Sequence, residues 1–198
     1  MRQEQTKKLH RHWRELRRNG APPDRNDLDP AAIAPALQDV FILGRGPDGL
    51  WRYRVAGTRM SAYADRDLRG ELFTAWWRPH DQLDLSRLLA AATAEGAPVV
   101  GGVSALSTRR ERHLLEFILL PLRHGGQDGL RMIGGLFPAP ETARLFDVRL
   151  EELAIVSLRS LGEAPPAVAA FGHPRPDIEA LVERRHGLRL IEGGRMQD

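Results

Sequence analysis

"WRYRVAGTRMSAYADRDLRGELF", residues 51–73, begins as a strand and ends as something else. Trp51, Tyr53 and Val55 alternate with Arg52 and Arg54, so one side of the run is apolar and the other charged. The alternation stops at Ala56-Gly57-Thr58, and short helical turns follow. A strand that gives way to small helices at a glycine marks the point where a chain leaves a sheet and crosses one of its faces.

The flanking segments extend this pattern in both directions. Upstream, "DVFIL" (39–43) is a second strand, joined to residues 50–56 by "GRGPDG". Gly44, Gly46 and Gly49 spell G-x-G-x-x-G, but a dinucleotide-binding turn must be followed by a helix whose N–H groups hold pyrophosphate. A strand follows here, and Pro47-Asp48-Gly49 is hairpin-turn chemistry. Downstream, "RPHDQLDLSRLLAAATAEG" reads as a helix started at or near Asp81, striped by Leu85, Leu88, Leu89 and Ala92, and closed by Gly96. Three strand segments come next, 97–107, 111–121 and 130–137, linked by "TRRE" and "RHGGQDG" as antiparallel hairpins. At the start of the chain, residues 5–18 form an amphipathic helix with Leu9, Trp13 and Leu16 at i, i+4 and i+7. Asp29 before Pro30 caps a short helix over 30–37. Past Pro138 the chain reads as helical material turning to strand near Ile155–Leu158, then a linker, a short helix over 177–186 and the closing run "LRLIEGG". The order predicts an α+β domain: five antiparallel strands, with helices inserted between the second and third.

Composition narrows the function. The apolar fraction of 42% and charged fraction of 28% are those of a globular domain, and no apolar run is long enough to span a bilayer. With no signal-like apolar core behind the basic N-terminus, the expected location is the cytoplasm. The absence of cysteine excludes disulfides, thiolate metal sites and cysteine nucleophiles. Of the 29 basic residues all but Lys7 and Lys8 are Arg, and seven of them, against two acids, lie in residues 1–18. The remainder is nearly neutral, so the positive charge belongs to the first helix and is first of all a solvated helix face.

No hydrolase, zincin, P-loop or kinase signature is present, and the acidic pairs Glu151/Glu152 and Asp81/Asp84 are ordinary solvated acids. A non-enzymatic protein is expected. His10 and His12 are two apart on a helix and point in different directions, so they make no metal site. A lone His80 or His113 is more often structural than a haem ligand, and no metal or cofactor is assigned.

The element order and several short motifs resemble those of PAS domains, and within them a branch of small stand-alone bacterial PAS proteins of the alphaproteobacterial type. The motifs are Trp13 with Leu16-Arg17, Pro23 with Arg25, Leu28-Asp29-Pro30, Leu37 before the first strand, Tyr53-Arg54 leading to Gly57-Thr58, Asp67-Leu68 leading to Gly70, and the closing Leu188–Gly194. Two positions depart. Asp65 stands where that branch has glycine, which a left-handed backbone tolerates better in Asp than in most residues, and Arg69 stands where a small hydroxyl residue is usual.

The resemblance implies a helical segment (1–22), a PAS-like domain (23–138) and an extension (139–198) packed on or beside it. It also implies a sheet face and helices that enclose a pocket. Period-two alternation places Trp51, Tyr53 and Val55 on that face, with His113 and Phe117 from "ERHLLEFILL"; Tyr63, Phe73, Trp76 and Trp77 close it from the helices. An aromatic-lined small-molecule site is the functional expectation and a fully packed core is the alternative. The other face of the same strand is also apolar, so the N-terminal helix is expected to cover it within one chain or across a homodimer through Leu9, Trp13 and Leu16. The expected role is a sensor or adaptor that binds a small molecule or signalling partner proteins and has no effector of its own. The alternative from another class is a nucleic-acid-associated regulator using the Arg-rich first helix, although nucleic acid is not the expected partner.

Overall fold

The computed structural model describes residues 1–125, 130–139 and 148–161, all within one unit, Met1–Pro166. Helix α1 (Glu4–Leu16) is followed by 3-10 turns at Arg25–Asp27 and Ala34–Asp39. Strands β1 (Val40–Arg45) and β2 (Trp51–Ala56) form the first hairpin. Then come α2 (Thr58–Ala64), a 3-10 turn at Phe73–Trp76, and the long α3 (Pro79–Glu95). Strands β3 (Val99–Ser107), β4 (Arg112–Leu122), β5 (Arg131–Pro138) and β6 (Leu150–Ser160) complete the domain. The sheet order is β2-β1-β5-β4-β3-β6, antiparallel throughout. The α+β order expected from the sequence is therefore present, with one strand more than the five expected.

The sixth strand lies beyond the expected domain boundary at 138 and runs over 11 residues where the sequence predicts a strand only near Ile155–Leu158. Its alternation is broken twice: Val103 pairs with Ile155 but Gly102 with Ser157, and Leu106 pairs with Glu152 but Ser107 with Leu150. Val156 and Glu151 are the extra residues, and each bulge turns the side chains after it to the other face. Period-two counting fails on such a strand. The first bulge has a partner from the helices: Ile155 N–H donates to the Asp81 carboxylate at 2.9 Å. The helix starts at Pro79, beside Asp81 as expected, with Arg78 as its N-cap, and the Asp81 side chain serves β6. Arg78 N–H donates to Leu153 C=O at 2.9 Å and its guanidinium meets Glu152 at 3.0 Å, while Trp77 bridges Leu153 in parallel. The expected short helix over 177–186, the linker before it and "LRLIEGG" lie outside the described residues.

From Leu115 to Leu122 of β4 both faces of the sheet are covered, as the alternation there requires. Leu115, Phe117 and Leu119 point into an inner core with α2, α3 and the 73–76 turn, and Ile118 and Leu120 into an outer core with α1. Leu9 and Trp13 have no exposed surface, and the Trp13 indole N–H donates to Pro121 C=O at 2.7 Å. Arg17 lies 5.0 Å over the Trp13 ring. From the sheet, Glu116 accepts from Arg2 N–H and Gln3 N–H at 2.6–2.9 Å, satisfying donors at the start of α1 that no helical carbonyl can reach. Of the two covers expected for this face, within one chain or across a homodimer, the structure shows the first at Leu9 and Trp13. The stripe is spent on the chain's own sheet, with Leu16 half-buried at the last turn.

Candidate functional site

The strand-to-helix junction at Gly57 is built by close approach. Gly57 N–H donates to Val40 C=O at 2.8 Å, and a Cβ at this position would lie 2.3–2.4 Å from the carbonyl oxygens of Leu37 and Gln38. Its φ of −65° is open to any residue, so space rather than conformation demands glycine. Helix α2 then ends at Asp65 in the left-handed region, φ 52°, as expected for an Asp in a glycine position. Asp67 Oδ1 accepts from Arg69 N–H at 2.9 Å, and Gly70, φ 84°, donates to Tyr53 C=O at 2.8 Å. Tyr53 N–H in turn donates to Glu71 C=O at 3.1 Å. The turn thereby pairs with the middle of β2 and delivers Phe73, Trp76 and Trp77 onto the inner face.

There the rings of Phe41, Tyr53, Phe73, Trp77 and Phe117 pack with centroids 5.4–6.2 Å apart. Most contacts are tilted or edge-on, the arrangements that ring quadrupoles favour. Trp51 and Tyr63 are buried in the same core, and the Trp76 indole donates to Leu150 C=O at 3.2 Å. Beside Trp51 a cleft of about 280 Å³ opens, bounded by Leu72 and by Leu89 and Thr93 of α3. Two polar atoms inside the aromatic core, Tyr53 Oη and Trp77 Nε1, are buried without a hydrogen-bond partner among the described residues. Burial pushes the Tyr53 phenol far above its usual range, and the Glu71 carboxylate adds to the shift.

One member of the expected pocket sits elsewhere. Val55 is 46% exposed on the opposite face. Ile42 pairs with Val55 but Leu43 with Tyr53, so Arg54 is an extra residue that reverses the alternation. His113 lies at the start of β4, opposite Ala105, with Nε2 3.6 Å from the Glu111 carboxylate.

A polar cluster at the end of the inner face had no signature in the sequence. Asp39, buried just before β1, receives Arg59 Nη1 of α2 at 3.0 Å on both oxygens. Burial pushes the Asp39 carboxyl up to about 6 against the pull of the guanidinium. One helical turn on, burial and then the Asp39 charge push the Tyr63 phenol up to about 12. Among the described residues no group of His, Asp and Glu side chains has the geometry to hold a metal ion.

Residues 1–137 match a family model described as PAS domain. The chain belongs to the PAS family. The match runs from α1 to β5, so α1 lies inside the matched region, and β6 is an additional strand on the β3 edge of the PAS sheet. The inserted helices and the aromatic face are thus the PAS domain's own inner face. No curated protein matches the chain. No helix among the described residues is long and apolar enough to cross a membrane.

Proposed function

We propose that this PAS domain is a sensory or adaptor module that holds a small, largely apolar molecule against its inner face and passes its state to partner proteins. It acts by binding, not catalysis, as a bacterial protein of the cytoplasm. The observation that carries the proposal is the pair of unpartnered buried donors, Tyr53 Oη and Trp77 Nε1, on either side of Phe73. A buried donor without an acceptor costs about 1–3 kcal/mol, and two in one aromatic core are relieved by a molecule offering acceptors. The ligand class follows: a flat or aliphatic body to lie among the rings, with one or two carbonyl or ether oxygens.

Native mass spectrometry of freshly purified protein tests this. The expected result is a mass carried by the folded chain, lost on denaturation and absent from a Tyr53→Phe/Trp77→Phe variant. A bare wild-type chain overturns the small-molecule part and leaves an adaptor that works through proteins alone. A mass retained equally by the double variant places any ligand away from this face.

A further inference from the structure

The outer face of the sheet has an uncovered half. Helix α1 lies over β4 and β5, and toward β1 and β2 its cover ends. There Ile33, Leu37, Val40, Ile42, Val55 and Ile133 line an apolar groove of about 320 Å³. Leu37 is 41% and Val55 46% exposed.

One rung along the sheet the groove turns cationic. Gly44 pairs with Arg131 of β5 on one side and Arg52 of β2 on the other. A Cβ at Gly44 would lie 2.7 Å from Arg54 Nε and 3.1 Å from Arg131 Nη1, so the two side chains fold together over the glycine from opposite strands. Arg25 stands on the groove's rim. Burial, and then the charges of Arg54 and Arg25, lower the pKa of Arg131. Arg52 has its carboxylate in Asp48, at 2.7 Å. Arg25, Arg54 and Arg131 have no ion-pair partner among the described residues. Three like charges held side by side next to low-dielectric surface are costly, and a carboxylate placed among them is bound by charge-assisted hydrogen bonds.

We infer that this groove docks an acidic amphipathic segment of a partner protein. Two or three apolar side chains of the segment fill the space between Leu37, Ile42 and Val55, and an Asp or Glu beyond them reaches the guanidinium groups of Arg25, Arg54 and Arg131. The segment lies across the face and does not extend the sheet at Tyr53, because residues 70–72 already pair with β2 there. Charge complementarity selects this occupant: the exposed apolar surface alone accepts any greasy partner, whereas the unpaired arginines accept an anionic one.

The test is panning a displayed library of random short peptides on the folded full chain, then measuring the recovered peptides against variants. Expected are sequences that join apolar residues to Asp or Glu. Their affinity should fall about tenfold or more in Arg54→Glu/Arg131→Glu and in Val55→Asp. Both positions changed on β2 are solvent-facing, and circular dichroism verifies that the variants fold. Recovered peptides without acidic residues, or affinities unchanged by these substitutions, overturn the inference. So does a wild-type dimer, seen by light scattering, that Val55→Asp dissolves, because the groove is then the face for a second copy. Binding to phosphatidylglycerol vesicles that the same variants lose overturns it in favour of a lipid surface.

Discussion

Phe117 and Ile118 are consecutive residues of β4, both fully buried, and they enter different cores. Phe117 meets a wall of rings carried by the segment between β2 and β3, so the inner core is closed by chain that the fold inserts at that place. Ile118 meets α1, whose Trp13 is bonded to a carbonyl 108 residues further along the chain. The inner core is aromatic and retains two buried donors without partners among the described residues. The outer core is mainly aliphatic, has its Trp13 indole satisfied although Thr6 Oγ1 of α1 is buried without a partner among the described residues, and stops halfway across the sheet. The contrast shows that one sheet can assign its faces separately: one sealed with polar groups to spare, one open with charge to spare.

The largest test of that contrast removes one large side chain from each core. Phe117→Ala and Trp13→Ala should each cost about 3–5 kcal/mol in urea unfolding, the usual loss for a fully buried ring. Near-ultraviolet circular dichroism should separate them, because the ring contacts of Tyr53, Phe73 and Trp77 are disrupted by the first and kept by the second. If Trp13→Ala cost under about 1 kcal/mol, the outer cover would not belong to the cooperative unit at all.

A smaller effect belongs to the place where the two faces meet. Asp39 lies in the 3-10 turn that packs against α1 on one side and α2 on the other. Its carboxyl is raised from 3.8 to about 6 in the folded protein, so between those values the folded chain keeps a proton that the unfolded chain has released. Its contribution is therefore fully present below about pH 4 and lost as pH rises through about 6, amounting to about 3 kcal/mol. Stability measured from pH 4 to 7 should decline by this amount beyond what the other carboxylates contribute, and Asp39→Asn should abolish that decline. A wild-type profile that is flat or rising over this interval would show that Arg59 outweighs burial.

The smallest effect sharpens the assignment of β2. Val55→Thr should change stability by no more than about 0.5 kcal/mol, as solvent-facing substitutions do. If thermal unfolding showed a loss of about 2 kcal/mol or more, Val55 would be buried in solution and the groove covered.

These residues also mark how far the sequence alone could be read. Alternation in "ERHLLEFILL" announced two buried faces, and the glycine, Asp and apolar spacing of residues 57–77 announced helices laid across one of them. Tyr53, Phe73, Trp77 and Phe117 do come together. Alternation misplaced Val55 because a single bulged residue, Arg54, has no compositional mark; the bulges of β6 hid the first half of a strand whose Leu and Glu residues suit a helix equally well. The amphipathic stripe of α1 showed that it needed cover, and the register of packing, not the stripe, decided that its own sheet supplies it. Asp39 and Arg59 are twenty residues apart, and nothing local marks either as buried.

The bonds at the start of α3 connect the inner face to the strand that leaves it. Trp77 carries one of the unpartnered donors, its backbone bridges Leu153, and the next residues hold Leu153 and Ile155 through Arg78 and Asp81. A displacement of Trp77 would therefore be passed to β6, the last strand among the described residues, which sits outside the region shared with the family. In mechanical language, Trp77 is the short arm of a lever, the Arg78–Asp81 corner its fulcrum, and the last strand its long arm.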